Sequence, residues 1–580
     1  MQTYNNSVIL KFDDNTTGNA DSGAPITVRV ANVVAGSGAL ATIYDNQDVQ
    51  ILNPLTTTSN GNYSFKAADG TYDIVIRESQ VNEIVIPNIV LADNFYKAYN
   101  TLANMVGSSI NAGQVVSIYG CLTSNDKGGG LYRIYTPADY GSNYPGQSVS
   151  VYGGAVTIAN GNIAVLQPYN NILNYAQFSI DMTGATAADA NLAACHQFAD
   201  DNQYSVVNHN GIVYWQTTNI ELNDPRNIDL TGTTIRMDVN SGTTALTYAQ
   251  PIMFTVKASS VPIAISSGDI TALNTTYSTF FKRLSHRLPN DIFGAYNGAL
   301  VKIIGTELDV NRGGNVLSFF NKEEAVTLGR RGQTEQPLYK GYEGTISSVT
   351  VYPREVSQFE FKCPNLALDG VASFSFLQVE RSNCKITGLV ITEGSAWPSS
   401  VREVVQALNC SKLVLEDWDC LAMPLGTTTA GGIYCFTGSH IVDMQAQRLR
   451  GNTGWGFTGC NFLKNVTFND NSINRIDCHW GAYDITVNNN RLINWGCLLA
   501  GGGTFTAKDN EYHITGPLDA PIGESIVRSF LEVRPDYGAE WDGDIFVDGL
   551  TYIIDPAYIA DIGTNQFDVV KMIPSPSSTD

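Results

Sequence analysis

Short strings in which apolar residues alternate with polar ones recur through the second half of the chain: CKITGLVIT, SKLVLEDWD, SHIVDMQAQ, KNVTFNDNSI, YDITVNNNRLI, GTFTAKDNEY and GDIFVDGLTYI. Aligned, they place Ile386, Leu413, Ile441, Val466, Ile485, Phe505 and Ile545 in one column, with steps of 27, 28, 25, 19, 20 and 40 residues. Alternation of period two marks strands with one buried face. A longer period near twenty, with Asn or Asp at the corner, marks stacked coils, none of which buries its apolar face alone. The expected fold class is therefore all-β: a right-handed, single-stranded parallel β-helix, a solenoid, preceded by small β-rich N-terminal modules. The longer steps predict loops let out between coils. A propeller would repeat near 40 residues with Trp-Asp marks, and these do not recur.

Upstream the alternation is shorter and punctuated by turns. Residues 23–92 read as a small β-sandwich, with the Asn60-Gly61 turn and an aromatic hairpin, GNYSFKAADGTYDIVI, that resembles carboxypeptidase-regulatory-like modules. A helical stretch, NFYKAYNTLANMV, follows. Residues 241–360 repeat less cleanly and read as loops or an insertion. The expected organisation is a module over 1–92, a neck over 93–170, a β-helix over 171–555 and a short tail over 556–580.

Composition narrows the function classes. Few charged residues (15%) among many apolar ones (43%) suit β structure. The net charge of −21 repels nucleic acid and anionic membranes, so neither is an expected partner. No run of 18 apolar residues predicts membrane insertion, and MQTYNNSVILKFDD does not read as a signal peptide. The ten cysteines show no metal-ligand spacing and read as buried free thiols of a repeat core. No metal or other cofactor is expected.

Two strings carry a resemblance. SNDKGGGLYRI resembles the GDGGGGxYRI element that precedes the β-helix of bacteriophage tailspikes, and Asn160 to Leu166 supplies the ANGxxAxL strand that closes it. Ile180-Asp181-Met182-Thr183-Gly184, followed by Asp189, resembles the start of the pectate-lyase-like tailspike domain, with Met182 where that family has proline. The resemblance spans about residues 100–240. It implies a homotrimer in the virion tail, made in the host cytoplasm and acting at the host cell surface. It would be held to a tail, baseplate or adaptor protein by its N-terminal module, and would bind and cleave a bacterial surface polysaccharide.

Candidate chemistry lies in NRIDCHWGAYD. Alternation puts Ile476 and Cys478 on one face and Arg475, Asp477 and His479 on the other. With the apolar pair inward, three ionisable groups point outward. Cys478 faces away from Asp477 and His479, which leaves too few ligands for zinc. The Gly/Pro-rich TGPLDAPIGES reads as a loop, after which SFLEVRPDYG resumes the coil. Glu532, Arg534 and Asp536 then lie two rungs from Asp477, a rise of roughly 9–10 Å. Inverting glycosidases hold their carboxyls about 6.5–9.5 Å apart. Asp477, Glu532, Asp536 and His479 are thus the catalytic candidates, with Arg475 and Arg534 to tune or bind, and Trp480, Trp495 and Trp541 to pack against sugar rings. Strict alternation turns Trp480 and Trp495 inward unless Gly481 or a register shift frees them. Competing acids are Glu380 beside Arg381, the group Glu416, Asp417 and Asp419, and Glu540, Asp542 and Asp544. Glycoside hydrolysis is the favoured reaction. β-Elimination through Arg475, Arg534 and His479 is the alternative, and a non-catalytic receptor-binding tail protein the third.

Overall fold

The computed structural model describes residues 97–223, 225–237, 251–311, 319–369, 375–396, 403–421, 434–451, 456–515, 529–534, 541–556 and 568–572, together with shorter stretches before residue 97. These fall into two compact units. One comprises residues 1–119, 130–146 and 157–167, the other 120–129, 147–156 and 168–580.

In the first unit the alternating N-terminal strings form two four-stranded sheets. One orders Gln2–Ser7, Asn62–Ala67, Ile43–Tyr44 and Gln50–Ile51; the other orders Leu55–Thr56, Thr27–Asn32, Gly70–Arg77 and Ile84–Leu91, every pairing antiparallel. Ile43, Phe65, Ala67 and Ile74 are fully buried. The Asn60-Gly61 turn lies outside the described residues. The helical stretch is shorter than its pattern suggests. Lys97–Tyr99 is a strand, because it pairs with Val116 to Ile118, and the helix runs only over Leu102–Val106. Thr101, whose hydroxyl accepts the Asn104 N–H, caps it.

The second unit is the parallel β-helix. One sheet holds 20 strands in near-sequential order from Ile172–Leu173 to Asp568–Met572, with successive coils paired in parallel. The helix Asp189–Asn202 packs against the strand Ile220–Leu222 and buries Leu192, Cys195 and Phe198. All ten cysteines are buried and unbridged.

The expected column is right in its later half. Val466, Ile485, Phe505 and Ile545 stack in register. Earlier, Leu413 stacks on Cys384 rather than Ile386, and Val466 on Met444 rather than Ile441. The misplaced residues are still core: Ile386 stacks on Leu415 and Ile441 on Leu463. Cys384 and Met444 are as apolar and as buried as Ile386 and Ile441, so the pattern alone fits a column at either position.

The corners explain the Asn and Asp. Asp417, Arg448, Asp470, Asn489 and Asp509 all have φ between 53° and 60°, the left-handed turn that Asn and Asp tolerate best. Just beyond them Asn471, Asn490 and Asn510 are buried and stack as a ladder. Asn490 Oδ1 accepts from Asn471 N and Nδ2 at 3.0 and 2.8 Å, and Asn510 Oδ1 accepts from Asn490 N at 2.9 Å.

The weakly repeating stretch is an insertion. The coil leaves at Lys257 and returns at Phe359, and between them lie an antiparallel four-stranded sheet and the helices Ser267–Asn274 and Asn290–Phe293. This module has its own core, including Phe281, Leu288, Phe293, Val301, Val326 and Tyr342. It sits on the flank of the coils through a small apolar contact of Leu300 and Ala325 with Val442, and through polar contacts. Buried Lys464 pairs with Glu324, Tyr339 stacks on Tyr483 at 4.5 Å and donates to Asp484 at 2.6 Å, and Gln336 donates to Asp443 at 2.8 Å.

Asn490→Ala leaves buried donors of the ladder without acceptors. We expect a loss of about 1–3 kcal/mol of stability, read as a lower denaturation midpoint, whereas Asn489→Ala at the exposed corner stays well below that.

Candidate active site

The outward column of one wall runs Gln406, Thr437, Gly459, Asp477, Leu498, Glu532 and Lys571 on successive rungs. The expected two-rung separation of Asp477 and Glu532 is therefore present. The expected solvent-facing trio is not. Arg475 and Asp477 are fully buried, and of the three only the His479 side chain keeps access, at 20%.

Two glycines account for this. A Cβ on Gly459 would lie 2.4 Å from the Tyr434 ring, and one on Gly456 would lie 2.8 Å from Arg475 Cδ. Their missing side chains let Tyr434 lie across the neighbouring rung and Arg475 fold beneath it. The Arg475 guanidinium in turn lies 5.2 Å from the Trp495 ring centroid. Alternation correctly points Asp477 away from the coil interior, but neighbouring side chains then cover it.

Asp477 is the hub of the buried cluster. Arg475 Nη2 lies 2.6 Å from its Oδ2, and Arg534 Nη1 donates to both oxygens at 2.8 and 3.0 Å, spanning two rungs. Tyr434 OH donates at 3.2 Å, and His479 Nε2 lies 3.4 Å away. The Asp477 N–H donates to Thr458 Oγ1 at 3.1 Å. Burial alone raises the pKa of this carboxyl, but the charges of Arg475, His479 and Arg534 outweigh it and hold it well below the usual carboxylate range. Asp477 is thus a fixed anion, unsuited to donating a proton.

The remaining candidates are placed as follows. Glu532 keeps slight access (its side chain is 11% exposed) and lies 3.2 Å from Lys571 Nζ. Trp480, Trp495 and Trp541 are each 8–9% exposed. Register shifts occur between Ile473 and Arg475 and between Cys478 and Ala482, which bracket Trp495 on the next rung and Trp480. These shifts do not bring either ring to the open surface. Trp480 stands edge-on to Phe462, and Trp541 edge-on to Phe505. Asp536 and Glu540 lie outside the described residues.

Most competing acids are ion-paired: Glu380 with Lys257, Glu416 with Lys385 and Arg448, Asp417 and Asp419 with Arg448 and Arg450, Asp542 with Arg283, while Asp544 is exposed on the strand Trp541–Asp548. Arg381 is buried on Glu355 at 3.1 Å. A recess of about 250 Å³ lined by Gln445, Gln447, Thr467 and Asn469 lies on a different face of the coils. Among the described residues no three His, Cys, Asp or Glu gather as a metal site, and no helix is long and apolar enough to cross a membrane. Sequence reasoning missed Tyr434, Thr458, Asn461 (which faces His479 Nδ1 at 3.2 Å) and Lys571. The pair Gly456 and Gly459, one rung before Asp477, is the trace they leave in the sequence.

No protein-family model matches the chain, and no curated protein matches it. Among solved structures it is similar to the enzymatically active domain of tailspike protein 2 of bacteriophage CBA120, at 9% identity over 82% of this chain and 55% of that one, with a TM-score of 0.36. It is similar to Pantoea stewartii WceF, described as a glycan biofilm modifying enzyme with a tailspike-like parallel β-helix fold, at 9% identity over 84% and 59% with a TM-score of 0.29. The tailspike gp49 of Pseudomonas phage LKA1 gives 13% identity over 70% and 79%, with a TM-score of 0.35. The chain thus spans less than two thirds of the length of the first two.

Asp477→Asn leaves two buried guanidinium groups without their counter-charge. We expect a loss of about 3–5 kcal/mol, against less than about 1 kcal/mol for Asp417→Asn in an exposed pair; denaturation midpoints compare the two. Because the folded pKa of Asp477 lies below its unfolded value near 4, its contribution is complete above that pH. It is lost as pH falls toward the folded pKa, so the acid limb of the wild-type stability profile flattens in Asp477→Asn.

Proposed function

We propose that the protein binds and depolymerises a bacterial surface polysaccharide (capsule, O-antigen or exopolysaccharide) by glycoside hydrolysis, as a component of a phage tail. The observation that carries the reading is the clamp Arg475–Asp477–Arg534 on the solenoid wall. Buried charge is costlier than the apolar packing that Leu498 supplies on the next rung, and such clusters concentrate where a protein fixes reactive groups. Arg534 is two residues from Glu532 on one strand end, so the clamp fixes the carboxyl that retains solvent access.

In this reading Glu532 transfers the proton at the glycosidic oxygen or at water, and Asp536, two residues past Arg534, supplies the second carboxyl. His479 and Lys571 are the other accessible ionisable groups of the wall, and Asp477 holds His479 in place. Trp480, Trp495 and Trp541 are buried, so sugar contacts fall to the more exposed polar groups. Hydrolysis is favoured over β-elimination because both guanidinium groups that would neutralise a uronate are spent on Asp477, Arg475 being fully buried. The N-terminal module as the virion attachment, through a tail, baseplate or adaptor protein, and the homotrimer as the active assembly rest on the sequence resemblance.

Purified protein is expected to reduce the size of the polysaccharide of a bacterium to which it adsorbs, releasing reducing ends without the ultraviolet absorbance of an unsaturated uronate. Glu532→Gln should lower the initial rate about 10²–10⁴-fold with the thermal midpoint little changed. Wild-type rates in that variant would remove Glu532 from the mechanism, and unsaturated products would replace hydrolysis by elimination.

A further inference from the structure

The insertion 258–358 holds ten of the chain's 34 Lys and Arg but nine of its 55 Asp and Glu, a net of +1 within a chain of −21. Five of those cations, Lys282, Arg283, Arg287, Arg330 and Arg331, are exposed and stand on two segments that the backbone joins side by side. Leu288 N donates to Gly332 O at 2.7 Å, Thr334 N donates to His286 O at 2.9 Å, and Arg287 bridges to Gln333. Gly332 permits that approach. Its φ is 73°, and a Cβ there would lie 2.4 Å from Leu288 O.

Leu284 and Arg331 sit within these segments at φ of 64° and 55°. That conformation is uncommon for side chains of their size. Among the described residues Arg283 alone of the five is ion-paired, with Asp542, next to Trp541. Gathered like charges repel, and Glu335 is the exposed acid that shares their segment. A bound anion offsets that repulsion.

We propose that this basic island binds the oxyanion substituents, phosphate or carboxylate, of an anionic glycan. Arginine dominates it, and the planar guanidinium fork accepts such groups in pairs of hydrogen bonds. A glycan carries its acids at intervals, one per repeat unit, so a single basic island engages it while the acidic remainder of the chain, at −22, faces neutral sugar. A polynucleotide presents continuous negative charge that this remainder repels. The Arg283–Asp542 pair sets the edge of the island against the strand Trp541–Asp548, so a bound polymer can run on toward the wall that holds Glu532. The proposal rests on the reading of the protein as a polysaccharide binder.

The test is binding of the full chain to fluorescein-labelled dextran sulfate, neutral dextran and duplex DNA across a salt series. Wild type is expected to bind dextran sulfate and to ignore neutral dextran. Arg287→Ser/Arg330→Ser/Arg331→Ser should weaken binding at least about tenfold and lower the log–log salt slope by roughly two to three. Single Arg287→Ser and Arg330→Ser give the same result in smaller steps if the triple variant folds poorly. If the hydrolysis reading fails, wild type leaves its polysaccharide intact while dextran sulfate binding is preserved. Unchanged binding by the triple variant, or equal binding of neutral dextran, overturns the proposal. Tighter binding of duplex than of dextran sulfate overturns the glycan and assigns a nucleic acid.

Discussion

Every coil of this solenoid leaves the edges of its strands unpaired until the next coil is laid upon it, and the rest of the structure follows from that constraint. Parallel pairing in register forces equivalent residues into columns. Inward columns must then be apolar throughout, and corner columns must accept a left-handed turn. Each buried corner amide bonds the same amide on an adjacent rung as well as a backbone carbonyl on the rung before, so Asn471, Asn490 and Asn510 form a chain of bonds rather than three separate caps. Outward columns are free of these demands, and the buried charge cluster of Arg475, Asp477 and Arg534 is found there.

On that freer wall the protein departs from its own repeat. Leu498 shows that an apolar side chain fits between Asp477 and Glu532, yet the rung of Asp477 holds a carboxylate, two guanidinium groups and a phenol out of solvent. The geometry depends on absences as much as on charges: without the gaps at Gly456 and Gly459, neither Arg475 nor Tyr434 reaches its place. Arg534 ties rungs that the sheet hydrogen bonds connect only through an intermediate strand. The result is a rigid patch whose outermost ionisable members, His479 and Glu532, sit against fixed charge.

Fold class was legible because periodicity is a property of many residues at once. Val466, Ile485, Phe505 and Ile545 align by pattern and by coordinates alike. The slips at Ile386 and Ile441 are shifts of two and three residues, to Cys384 and Met444, which are as apolar and as buried. At the candidate site, side-chain direction was legible and exposure was not. Alternation says which way Asp477 points, whereas burial depends on Tyr434, 43 residues upstream, and Trp495, a rung away. The insertion was visible as a loss of period, but its antiparallel sheet was not, since its strands pair across irregular spacings such as the shifts between Ile304 and Leu308.

The insertion also bears on the order of assembly. Asp229 and Lys362 are neighbours on adjacent coils yet stand 133 residues apart in the chain. Closing so long a flexible loop is entropically unfavourable, and contacts of such separation slow folding. The insertion has its own core and is closed at its base, where Ser259 N–H donates to Glu355 at 2.7 Å. Were it to form first, it would bring Lys257 and Phe359 together and shorten the effective loop to that of an ordinary coil.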